Sequence, residues 1–115
     1  KVKVRHLIYI YIRCKGETAI HRRGPGDIWQ GLWEPLCIED APLPDLGCRL
    51  TLVARDVKHV LTHRILLADF YLAEPRHRPL LPTGYLWVKE EDVEHYAVPR
   101  LVEKLLMLIH QSRWD

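Results

Sequence analysis

The apolar pattern changes period once along this chain, and that change constrains the fold more than any other feature. Between Val2 and Val88 the apolar runs are short, rich in β-branched and aromatic residues, and cut by Gly and Pro, as strands are. Past Pro99 the pattern becomes helical. Leu101, Val102, Leu105, Leu106, Leu108 and Ile109 form one apolar stripe at near-helical spacing, and Pro99 suits a first helical turn, so a helix is expected over roughly 99–111. Several strands followed by one terminal helix make the chain α+β. At 115 residues it is long enough for one core and too short for two, so residues 1–115 read as a single domain.

The strands can be placed from their punctuation. Residues 2–13 read as a first strand, Lys15-Gly16 as a hairpin turn, and Glu17 to Arg23 as a second strand. Gly24 to Gly31 is a loop, and Leu36-Cys37-Ile38 a short buried strand. Pro42 and Pro44 then bracket Leu43, and no ordinary helix runs through that stretch because each Pro removes a donor and clashes with the preceding turn. Leu50 to Ala54 suits a strand or a short helical turn. Val57 through Ala73 reads as two paired strands with a bend near Thr62-His63-Arg64. A proline-rich loop over 74–83, a strand over 85–88 and a brief helix from Lys89 complete the pattern. Trp33 and Trp87 are expected in the core; Trp29 fits either the core or a contact surface.

Composition narrows the class. With 48% apolar and 28% charged residues, the chain resembles an ordinary globular domain, and its longest apolar run, Leu7 to Ile12, is far short of a membrane span. No secretory leader pattern is visible at Lys1, which suggests a cytoplasmic protein, nucleoid-associated if bacterial, or a piece of a longer one. Cys14, Cys37 and Cys48 are odd in number and irregularly spaced, which fits free, at least partly buried thiols rather than disulfides or a metal set. The net charge of +2 is small, but residues 1–24 hold seven Lys/Arg against Glu17, and residues 55–64 hold three against Asp56. A basic face built from these two segments suits a polyanion; it equally suits a charge-protected sheet edge.

Enzyme chemistry finds little support. Holding divalent cations for phosphohydrolysis calls for carboxylates stacked on one helical face, whereas Glu34, Glu39, Asp40 and Asp45 lie among prolines. The acids Glu90, Glu91, Asp92 and Glu94 suit a solvated helix start. His59 and His63 are four apart, a zinc spacing on a helix, but the surrounding residues favour a strand and no third ligand is evident. No metal, and no catalytic residue, is therefore assigned. The most informative stretch is Lys58-His59-Val60-Leu61-Thr62-His63-Arg64, which gathers bases and a hydroxyl at the tip of paired strands. Such groups can address base edges and phosphate oxygens.

Three segments, in order, resemble the C-terminal domain of MutY-type adenine DNA glycosylases. Gly26 to Pro35 is similar to the family's Gly-Leu-Trp-Glu-Phe-Pro loop, without the Phe. His59-Val60-Leu61-Thr62-His63 is similar to its His-x-Phe-Ser-His element, with Leu61 in place of Phe and Thr62 keeping the hydroxyl. Gly84 to Val88, followed by Tyr96-Ala97-Val98-Pro99, resembles the family's approach to its final helix. The resemblance implies a Nudix-type fold: a mixed or antiparallel sheet packed with a C-terminal helix, here lacking the Arg-Glu-x-x-Glu-Glu signature helix of the nucleotide hydrolases.

It further implies a recognition module for 8-oxoguanine opposite adenine in duplex DNA, acting in base excision repair. Thr62 would address the edge that distinguishes the oxidised base, and His63 and Arg64 would meet base or phosphate. Leu61 would fill the Phe position, with Lys58 and His59 as further phosphate contacts. Arg22 and Arg23 are also candidate phosphate contacts. No cofactor is expected in these residues; by resemblance, an iron–sulfur cluster belongs to a covalently linked N-terminal glycosylase domain that excises the adenine. The alternatives are a divergent Nudix hydrolase of modified nucleotides and a protein-interaction module, such as a docking face for a sliding clamp.

Overall fold

A computed structural model describes residues 2–112. Strand β1 (Lys3–Ile12) is an inner strand of a four-stranded sheet ordered β4-β1-β6-β5, with β4 Leu36–Ile38, β5 Leu50–Val60 and β6 Arg64–Ala73. It runs parallel to β6 and antiparallel to β4, while β5 and β6 form an antiparallel hairpin, so the sheet is mixed. A second, antiparallel sheet is ordered β3-β2-β7, from β2 (Glu17–Arg22), β3 (Trp33–Glu34) and β7 (Leu86–Lys89). A 3₁₀ turn at Glu90–His95 leads into helix α1 (Arg100–Ser112). The α+β architecture expected from the periodicity is the one observed.

Side-chain alternation on β1 explains why it sits inside. Leu7, Tyr9 and Tyr11 point into a cluster with Leu66, Ala68, Phe70 and the helix residues Leu101, Val102, Leu105 and Ile109. Ile10 and Ile12 point the other way, against Leu36, Leu46 and Ala73. A strand covered on both faces must be apolar at consecutive positions, as Leu7 to Ile12 is. Each fully buried aliphatic side chain contributes about 1.5–3 kcal/mol, and Leu101, Leu105 and Ile109 have no exposed surface at all. That anchors α1 far more firmly than intrinsic propensity could.

The chain reverses at Lys15-Gly16, both in the left-handed region (φ 54° and 78°), the backbone of a type I′ turn. Cys14 and Glu17 exchange both backbone hydrogen bonds, at 2.9 and 3.0 Å, and there the hairpin ends. The two strands then part into different sheets, which the sequence pattern does not reveal. Leu50 to Ala54 is strand, the first half of β5. This edge strand carries irregularities between Leu52 and Val57, with Asp56 at φ 53° and its N–H held by Asp69 Oδ1 at 2.9 Å. Such bulges twist an edge away from unwanted pairing. Trp87 is half-buried against the second cluster, and Trp29 packs against the first. Trp33 departs from expectation: half-buried and outside both clusters, it meets Tyr96 edge-on at 5.2 Å. Cys14 is buried, Cys37 and Cys48 half-buried, and all three thiols are free. No described helix is long and apolar enough to cross a membrane.

Candidate nucleic-acid interface

The Lys58–Arg64 stretch forms the tip of the β5–β6 hairpin. Leu61 N–H donates to Arg64 O at 2.8 Å, closing a reversal whose two central residues, Thr62 and His63, are exposed. The backbone there is not a free loop. Lys3 N–H donates to His63 O at 3.1 Å, and β1 pairs Lys3 with Arg64 in register. Leu61 is half-buried and packs against the main core cluster, so the residue that precedes the exposed Thr62 is an apolar anchor. The geometry presents two polar side chains on a braced frame, as a reading head requires.

The remaining tip residues divide by register. His59 pairs with Leu66, and Val57 with Ala68, both on the core-facing side under α1; Lys58 and Val60 point to the opposite face, where both are exposed. His59 meets the edge of Trp29 with ring centroids 5.7 Å apart. Burial lowers its pKa, and the positive charges of Lys104 and Arg100 lower it further. His59 and His63 therefore do not form a pair: one faces the helix and the other sits in the turn. No group of three potential metal ligands occurs among the described residues. Among those residues, Lys3, Lys58, Arg64, Arg100 and Lys104 have no carboxylate partner.

The basic first hairpin behaves differently. Glu34, 1% exposed, accepts from Tyr9 Oη at 2.8 Å and from Arg23 Nη1 at 2.9 and 3.0 Å, and it pairs with His21 Nε2 at 2.8 Å. Arg23 also donates to Asp27 at 2.6 Å and to Ile28 O at 3.0 Å. Asp27 in turn joins Arg5, which makes a two-pronged contact with Glu39 at 2.7 and 2.8 Å. Burial pulls the Arg23 pKa down, but the charge of Glu34, its hydrogen bonds from Arg23 and the nearby Tyr9 and Cys37 together outweigh this and leave it raised. Hydrogen bonds from Arg5 hold the Asp27 and Glu39 carboxyls below their usual range. Burial, reinforced by the charge of Glu34, pushes the Cys37 thiol up to about 12. Arg23 is thus a structural cation and not a free phosphate contact, whereas Arg22 is exposed.

A second buried carboxylate corrects another expectation. Glu90 is not a solvated helix-start residue: it accepts from Tyr11 Oη at 2.7 Å and Arg13 Nε at 3.0 Å, and its N–H reaches Gly16 O at 3.0 Å. Tyr and Arg placed in or beside an apolar strand, at positions 9, 11 and 13, were the available signal for both buried carboxylates. The acids between β4 and β5 are not stacked. Residues 39–49 contain no helix; Glu39 is tied to Arg5, and Asp45 Oδ1 accepts from Gly47 N–H at 2.9 Å.

Residues 8–108 match the NUDIX domain family, and the chain belongs to it. Its fold is shared with solved structures of diverse roles. The C-terminal domain of mouse MUTYH, solved in complex with human PCNA, superposes with a TM-score of 0.76 at 17% identity, covering 96% of this chain and 90% of that one. The MutT protein from Methanosarcina mazei gives 0.72 at 15% identity, covering 100% and 99%. The NUDIX domain of Shewanella oneidensis NrtR, complexed with ADP ribose, gives 0.73 at 8%, covering 97% and 89%. No curated protein sequence matches the chain. At such identities these likenesses establish the fold and leave function to the site.

Proposed function

We propose that this NUDIX domain is the lesion-recognition module of an adenine DNA glycosylase, reading 8-oxoguanine opposite adenine in duplex DNA. One observation carries the reading: an exposed Thr62-His63 pair stands on a braced hairpin tip, flanked by cations that no carboxylate of the described residues neutralises. Oxidation gives guanine a C8 carbonyl and a protonated N7 where guanine itself has an acceptor. The Thr62 hydroxyl can donate to that carbonyl, and one such hydrogen bond discriminates by about 1 kcal/mol. Arg64 and Lys58 supply sequence-blind phosphate contacts that set position. His63 lies beside either group. Leu61 is the apolar support of the tip, and His59 flanks it on the helix side. Excision of the adenine belongs to a linked glycosylase domain in the parent protein, together with that domain's iron–sulfur cluster.

A hydrolase of oxidised nucleotides is the second reading, favoured by the similarity to the Methanosarcina MutT protein. One experiment separates the two. The chain is titrated with labelled duplexes carrying 8-oxoguanine:adenine or guanine:adenine, and is separately incubated with oxidised dGTP and magnesium. Preference for the oxidised duplex without nucleotide turnover supports lesion reading. Turnover above a metal-free control, with no duplex preference, supports the hydrolase.

A further inference from the structure

The cations of α1 have no role in the reading head itself, yet their placement is costly unless something offsets it. Arg100 and Lys104 lie one turn apart on the helix and are both exposed. Like charges at this spacing destabilise a helix by about 0.2–0.5 kcal/mol. Arg100 also occupies the first turn, where the helix dipole disfavours a cation. Glu103, the acid of that turn, instead lines the groove between α1 and the 3₁₀ turn with Val93 and Glu94. No ion pair joins it to either base among the described residues.

The helix lies against β5, and the charges of Arg100 and Lys104 reach His59 in that strand, two residues before Leu61. Trp29 meets the His59 ring edge-on. Its backbone lies in the left-handed region at φ 56°, unusual for a large side chain. The loop that carries it is held by the hydrogen bond from Arg23 to Ile28 O and by that from Ile28 N–H to Asp27 at 2.7 Å. The result is a pair of like charges on α1, the helix that packs against the strand leading to the tip, and neither has a carboxylate partner among the described residues. Clustered bases left without an internal counter-ion suit an external polyanion.

We propose that α1 supplies a second grip on the DNA backbone, in which Arg100 and Lys104 hold phosphates while the β5–β6 tip reads the base. This inference rests on the proposed DNA reading and adds a surface that the tip motif does not contain. Being directed at phosphate, the grip is blind to the lesion.

The test uses the full chain and labelled duplexes with 8-oxoguanine:adenine or guanine:adenine, titrated between about 0.05 and 0.2 M salt. Replacing both bases (Arg100→Ala with Lys104→Ala) should lower the slope of log affinity against log salt by about 1.8, or roughly 60-fold in affinity at 0.1 M salt. The loss should be equal on the two duplexes. A control pair at the far end of the sheet and in the 74–83 loop, Lys15→Ala with Arg76→Ala, should leave the slope unchanged, and thermal melting of each variant reports that it is folded. The α1 grip is overturned if the double variant keeps the parent slope while the parent chain prefers the oxidised duplex. If the slope falls but the parent shows no lesion preference, the grip stands and lesion reading fails. If the parent chain binds neither duplex, both are overturned.

Discussion

Arg5, Arg13 and Arg23 of the first hairpin and the cations of the β5–β6 tip look alike in sequence and behave in opposite ways. Arg5 and Arg23 are locked between Asp27, Glu34 and Glu39, and Arg13 reaches the buried Glu90. Lys58 and Arg64 have no such partner among the described residues. The first region uses charge to close the structure; the second leaves charge available. A count of basic residues cannot tell these apart, because availability depends on whether register and loop path bring a carboxylate within reach. The comparison also separates what each region should do when altered: the hairpin network governs stability, and the tip governs binding.

The largest effect should come from the network. Glu34→Ala strands Arg23, 10% exposed, together with His21 and Tyr9 around an empty position. Breaking one side of a buried pair costs about 3–5 kcal/mol, measurable by urea unfolding. A loss below about 1 kcal/mol would remove the contrast between the regions. At the tip, Arg64→Ala should leave unfolding within about 0.5 kcal/mol of the parent. It should nonetheless weaken DNA binding roughly eightfold at 0.1 M salt, on oxidised and normal duplexes alike, as expected for one phosphate contact.

A smaller effect should follow from pH. Asp27 and Glu39 have carboxyl pKa values lowered in the folded state, first by their hydrogen bonds from Arg5. Groups of this kind contribute stability above their unfolded pKa, near 4, and that contribution is lost as pH falls through the lowered folded values. Unfolding midpoints should therefore drop as pH falls below about 4, and Arg5→Met should flatten that drop. Both carboxylates are partly solvated, which keeps the effect modest. An acid profile identical in the parent and Arg5→Met would detach these ion pairs from stability.

Much of this arrangement is legible in the residues. The change from strand to helical period at Pro99 places α1 to within a residue, because burial of a 3.6-residue stripe leaves a strong signal. The Lys15-Gly16 turn and the tip at Thr62-His63 follow from turn chemistry and from the apolar runs on either side. Sequence pattern does not show that β1 and β2 separate into different sheets after one bridge, since that is decided by pairing with the distant β6 and β7. Nor does it show that Arg23 points inward to Glu34, or that Glu90 is buried, because both depend on contacts across many residues. Trp33 was expected in the core, yet the short β3 leaves it half-buried against Tyr96.

Thr62 tests lesion reading most directly. The chain and its Thr62→Ala and Thr62→Ser variants are titrated with duplexes carrying 8-oxoguanine:adenine and guanine:adenine at one fixed salt concentration. Thr62→Ala should reduce the preference for the oxidised duplex by about 1 kcal/mol with little change in stability, and Thr62→Ser, which keeps the hydroxyl, should retain it. A preference left intact by Thr62→Ala but altered by Arg64→Ala would contradict the assignment of base reading to the Thr62 hydroxyl.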